Sequence, residues 1–128
     1  MLYVDASALG RVLLGEPDTR AIRAALGEFG VRVSSRLLAV ELHRLALRHG
    51  RDASALPGAV ALLPITETVL RAAEALAPPK LRTFDAIHLA TLLATRDSSA
   101  SVTAIMTYDR DLGDAATEHG LDVIAPRV

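Results

Sequence analysis

A chain of 128 residues, 51% of them apolar, is long enough to bury a substantial core and reads as one domain over residues 1–128. The net charge of −1 and pI near 6.4 argue against a globally basic nucleic-acid surface, and the absence of cysteine excludes disulfides and thiolate metal sites. No apolar run reaches the ~18 residues of a membrane span and the N-terminus lacks a signal-peptide layout, so a cytoplasmic location without membrane contact is expected.

The chain opens with the apolar strand "MLYV", which passes directly into a helix over "DASALGRVLLGE", where Ala8, Leu9, Val12 and Leu13 keep helical spacing. Pro17 suits the first turn of a second helix, "DTRAIRAALGEF", which Gly30 ends before the strand "VRVS". Ser34 or Ser35 caps a third helix, "RLLAVELHRLALRHG", closed by Gly50. A short helix near residues 52–59 precedes the strand "AVALLPI". Thr66 caps "ETVLRAAEALA", which stops at Pro78-Pro79. A buried helix follows from Phe84 onward in "LRTFDAIHLATLL", then a surface loop, "TRDSSAS", and the strand "SVTAIMTY". The helix "DRDLGDAATEHG" and the strand "DVIA" complete the order. Alternating strands and helices imply a mostly parallel sheet with helices on its faces, and the mean hydropathy of +0.31 fits either such a sheet covered on both faces or apolar surface reserved for a partner.

In an open α/β sheet the functional edge lies beyond the carboxyl ends of the strands. Asp5 directly follows the first strand, and Asp109 starts the helix after "TAIM", so both belong at that edge; helix capping is the alternative role for each. Glu41 lies four residues from both Leu37 and Leu45 and so projects from an apolar face, where a carboxylate needs an arginine, a metal ion or a proton. Asp85 falls in a first turn behind Thr83, the better cap, and shares its side with His88, Leu89 and Leu92. If the four acids converge, their repulsion is tolerable only around cations, and an all-oxygen donor set suits Mg²⁺ or Mn²⁺. Such a site serves phosphodiester hydrolysis.

The segments "VDASAL", "AVELHR", "LRTFDAIHLATLL" and "IMTYDRDL", in this order, resemble the PIN-domain ribonucleases and among them the VapC toxins of bacterial toxin–antitoxin pairs. The resemblance spans the chain. It implies a three-layer α/β/α sandwich with a mostly parallel sheet, and an endoribonuclease dependent on Mg²⁺, with Mn²⁺ able to substitute. Asp5, Glu41, Asp85 and Asp109 match the family's metal-binding acids, with Asp5 and Asp85 as the principal ligands. Ser7 and Thr107 match hydroxyls beside the pocket, or are structural helix-start hydroxyls. The resemblance also implies an RNA substrate, a homodimer and a VapB-like antitoxin whose tail enters the groove.

Of the 14 basic residues all but Lys80 are arginines. Arg82, Arg44 and Arg48 stand near the acids and suit RNA phosphates or acidic partner residues. His88 reads as a hydrogen-bonded core residue rather than a general base, and Asp111 as a solvated first-turn acid. A haloacid-dehalogenase-like phosphatase needs an aspartate where Ser7 stands, and a response-regulator receiver needs a late lysine where only Lys80 is available. The remaining alternatives are a housekeeping PIN nuclease without a toxin role and a catalytically silent PIN-like binding module.

Overall fold

The computed structural model describes residues 1–52, 60–99 and 101–128. The short helix expected near residues 52–59 lies, beyond Asp52, outside the described residues. Five strands, β1 (Leu2–Val4), β2 (Arg32–Ser35), β3 (Ala61–Leu63), β4 (Ala104–Met106) and β5 (Asp122–Ile124), form one sheet in the order β3-β2-β1-β4-β5. Every pairing is parallel. Helices α1 (Ala6–Leu13), α2 (Thr19–Gly27), α3 (Leu37–Arg48), α4 (Glu67–Glu74), α5 (Thr83–Ser99) and α6 (Arg110–Glu118) supply the crossovers.

The period of two along each strand divides the core. On β1, Leu2 and Val4 join Ala104 and Met106 of β4 beneath α1, α2 and α3, where Leu9, Ile22, Leu38 and Leu42 pack. Tyr3, Val33 and Ile105 face the other way, onto Leu89 and Leu92 of α5 and Leu112 and Ala115 of α6. Helix α4 packs against α5. Each fully buried leucine contributes about 1.5–3 kcal/mol of transfer free energy, so the two covered faces hold the sheet between them. The result is the expected three-layer α/β/α arrangement. Gly10 allows α1 to approach α3 closely, since a Cβ there would stand 3.0 Å from Leu45 Cδ2.

Local signals match the structure where they are local. The Thr66 hydroxyl caps α4 by accepting from Val69 N at 3.1 Å, and Gly50 follows α3 with a φ of +61°. The start of α3 is held by Ser35, whose Oγ accepts from Leu37 N at 3.0 Å. Pro17 stands ahead of α2 instead of in its first turn, because Asp18 precedes Thr19 as the cap residue. The loop expected at 95–101 is a helix as far as Ser99. Thr95 returns a hydrogen bond to Thr91 O, and Ser98 and Ser99 both return one to Thr95 O, so the hydroxyls satisfy helix carbonyls. Phe84, expected in the core, is 55% exposed, and the buried span of α5 begins at Ala86.

From β1 the chain builds outward to β2 and β3 on one side, and β4 and β5 lie on the other. The order therefore reverses between β1 and β4, where an open parallel sheet leaves a crevice at its carboxyl edge. Val4 pairs with Met106 at that seam, so Asp5 and Thr107 leave the sheet side by side.

Candidate active site

Asp5 is the cap residue of α1 and is 4% exposed. Its Oδ2 accepts from Ser7 N at 3.4 Å, from Ser7 Oγ at 2.8 Å and from Thr107 Oγ1 at 2.9 Å. The two hydroxyls are fixed in turn: Tyr108 N donates to Ser7 Oγ at 2.9 Å, and Asp109 N donates to Thr107 Oγ1 at 3.0 Å. Every one of these bonds falls on Oδ2. Oδ1 is left facing His88 Nε2, 3.6 Å away.

Asp109 caps α6, its Oδ1 accepting from Leu112 N at 2.9 Å. Capping is therefore a real role for both strand-end aspartates, and each spends only part of its carboxylate on it. Glu41 projects from α3, its side chain 21% exposed, and its Oε1 meets His88 Nε2 at 2.6 Å. His88 is fully buried, and its Nδ1 lies 2.7 Å from the Tyr3 hydroxyl. Ligand atoms of Asp5, Glu41 and His88 all fall within 4.8 Å of one another. Asp85, in the first turn of α5, and Asp109 are not members of that tight group.

Glu41, Asp85 and Asp109 share the lining of a cleft of about 390 Å³ with Arg82, Thr83 and Phe84. Burial, followed by the charges of Asp109 and Asp5, pushes the Asp85 carboxyl up to about 6. For His88, desolvation acts downward, but the Glu41 hydrogen bond and the charges of Asp5, Glu41 and Asp85 outweigh it and leave the ring more basic than usual. Among the described residues no lysine or arginine pairs with any of the four carboxylates. Three acids lining one cleft, with Asp5 close behind Glu41 and His88, make a hard-oxygen donor set whose carboxylates have no arginine or lysine paired to them among the described residues. That set fits Mg²⁺ or Mn²⁺.

A family model for the PIN domain matches residues 2–118. The chain belongs to the PIN-domain family. Within it, the chain is 36% identical to Ribonuclease VapC47 of Mycobacterium tuberculosis over 135 residues, covering 98% of this chain and 97% of the relative. It is 39% identical over 129 residues to Ribonuclease VapC46 of the same species, with the same coverages. The backbone is similar to the crystal structure of Mycobacterium tuberculosis VapC20, described as a toxin that cleaves the sarcin-ricin loop; the TM-score is 0.71 with 16% identity, over 90% of this chain and 95% of that one. These likenesses place the chain among the VapC ribonucleases, and the last of them bears on the fold alone.

The structure brings Asp5, Glu41, Asp85 and Asp109 of this PIN domain to one edge from four different elements, with Ser7 and Thr107 bonded to Asp5. Arg82 lines the same cleft. Arg44 and Arg48 line an adjoining groove of about 520 Å³ that shares Glu41 and Phe84 with it. Asp111 turns away to Lys80, 3.3 Å distant at the surface. Two features escape a reading by spacing. His88 is the partner of Glu41, and Tyr3 is the partner of His88; the available signal was a tyrosine on a buried strand, whose hydroxyl requires a bond.

Proposed function

We propose that this VapC-type PIN domain is a divalent-metal-dependent endoribonuclease that hydrolyses RNA phosphodiester bonds as the toxin of a toxin–antitoxin pair. One observation carries the reading: Glu41, Asp85 and Asp109 line one cleft, buried Asp5 at the β1/β4 reversal has a ligand atom within 4.8 Å of one on Glu41, and among the described residues no arginine or lysine pairs with any of the four. Asp5, Glu41, Asp85 and Asp109 would hold Mg²⁺, with Mn²⁺ able to replace it. The ion, when bound, supplies a Lewis acid for the phosphate and an activated water.

The chain's own residues do the rest. Ser7 and Thr107 fix Asp5 through Oδ2, so that Oδ1 would be the oxygen turned to the ion. Arg82 at the cleft and Arg44 and Arg48 along the groove provide planar donors for RNA phosphates, a local substitute for a basic surface in an acidic protein. The exposed Phe84 ring stands between the cleft and the groove as an apolar contact for a base. The same groove suits the tail of a VapB-like antitoxin, and the protein would act as a cytoplasmic homodimer with the whole chain as one domain. No helix among the described residues is long and apolar enough to cross a membrane.

The relatives' shared name favours a toxin over a housekeeping PIN nuclease, and the full set of acids speaks against a catalytically silent module. The test is cleavage of total RNA by the purified chain. Activity with Mg²⁺ that disappears in EDTA and in Asp5→Asn supports the reading, as does growth arrest on expression that Asp85→Asn relieves. Full activity in EDTA would remove the metal from the mechanism.

A further inference from the structure

The buried pair behind the acids has a geometry that packing alone does not require. His88 lies between Tyr3 Oη, 2.7 Å from Nδ1, and Glu41 Oε1, 2.6 Å from Nε2, and none of its surface reaches solvent. The directions of these bonds follow from what each group can do. An ionised Glu41 can only accept, so Nε2 carries a hydrogen whether the ring is neutral or charged. Ser35 N can only donate and stands 3.1 Å from Tyr3 Oη. It occupies an acceptor site of that oxygen, so the phenol hydrogen goes to Nδ1 of a neutral ring, while in a charged ring Nδ1–H donates to the phenol oxygen. The rings meet edge to face at 81°, with centroids 5.8 Å apart. A continuous chain therefore runs from the backbone of β2, through Tyr3 on β1 and His88 on α5, to the carboxylate on α3.

We propose that His88 is a positioning residue, locked by Tyr3, whose Nε2–H holds Glu41 Oε1 so that Oε2 is the glutamate's ligand atom for the divalent ion. The proposal rests on the metal-site reading above. It differs from two other roles for the imidazole. A direct ligand would need Nε2 without its hydrogen and free of Glu41. A general base would need access to the cleft, and the ring is sealed from it. A histidine of this kind tunes a metal site through its neighbour, and loss of such a partner typically weakens metal affinity about 10- to 100-fold.

The experiment uses the full chain and reads Mn²⁺ binding by calorimetry, beside ¹⁵N NMR of the His88 ring with and without Mg²⁺. In the wild type, a ring protonated at Nε2 and kept so on Mg²⁺ addition is expected. His88→Leu should weaken Mn²⁺ about 10- to 100-fold, with kcat at saturating metal held to within a few-fold. His88→Gln, whose amide N–H reaches the Nε2 position, should recover part of the affinity. Tyr3→Phe keeps the packing and removes only the lock, and should weaken Mn²⁺ by a smaller factor; it decides the matter if His88→Leu does not fold. Wild-type Mn²⁺ affinity in both His88→Leu and Tyr3→Phe overturns the proposal. Loss of the Nε2 hydrogen on Mg²⁺ binding also overturns it, by making His88 a ligand. A wild type that binds no divalent ion overturns the metal-site reading itself, an outcome distinct from binding that the variants leave unaltered.

Discussion

Thr107 Oγ1 donates to Asp5 Oδ2 at 2.9 Å, joining the ends of β1 and β4 across 102 positions of the chain. The parallel register sets this contact, since Val4 pairs with Met106 and the next residue of each strand leaves the sheet at the same level. Thr107→Val keeps the shape, weakens the hold on Asp5 and strips Asp109 N of its acceptor. A stability loss of about 1–3 kcal/mol is expected in urea titrations. RNA cleavage at limiting Mg²⁺ should fall about 10-fold, with Thr107→Ser close to wild type. Equal cleavage by the valine variant would show that Asp5 needs no such support.

Asp85 should trade stability for activity. In the metal-free protein its carboxyl sits near 6, against an ordinary 3.8. The native state then holds the proton more tightly than the unfolded chain, so stability falls as pH rises through that window and stays reduced above it. His88, held above its usual value, contributes stability that is complete below about 6.5 and is lost as pH rises through the folded value. Comparison with Asp85→Asn isolates the lower window. In EDTA the variant should melt a few degrees higher at pH 7, a modest gain because solvent screens a half-buried group. RNA cleavage should fall by about 100-fold or more, as expected when an electrostatic contact to the reacting centre is lost. A melting point unchanged at every pH would contradict the crowding of charge at this position.

Divalent ions should reverse that penalty. Mg²⁺ at about 100 times its Kd adds roughly 2.7 kcal/mol to the wild-type stability by mass action. Asp5→Asn and Asp85→Asn should lose most of the shift, and EDTA should cancel it in the wild type. Thermal melts across a Mg²⁺ series read this without any RNA, so they separate metal binding from substrate choice.

Phe84 is 55% exposed in the first turn of α5, between the cleft and the arginine-bearing groove. Phe84→Ala should change stability by less than about 0.5 kcal/mol, as an exposed substitution does. Stacking of one base on an aromatic ring is worth about 1–3 kcal/mol. The KM for RNA should therefore rise at least about 5-fold with kcat nearly constant. An unaltered KM would assign the ring to a protein partner instead.

The sequence by itself determined the order of elements, the parallel sheet and the positions of the four acids. Each of these follows from short-range causes: a period of two or of 3.6, a cap, a glycine or proline stop. Asp5 and Asp109 were legible because they directly follow apolar strands, and Glu41 because it interrupts an apolar stripe. Spacing names the face of an element and not what meets that face. The Glu41–His88 contact spans 47 positions and the Tyr3–His88 contact 85, so neither leaves a local trace. Periodicity likewise placed Phe84 in the core, but burial on α5 depends on which stretch lies against the sheet, and that stretch starts at Ala86. The tertiary structure alone decided which oxygen of Asp5 takes the hydroxyl bonds and which faces His88, and which imidazole meets Glu41. Those choices come from the β1/β4 register and the packing of α3 and α5 at the sheet's edge. Buried polar groups must pair there because water cannot reach them.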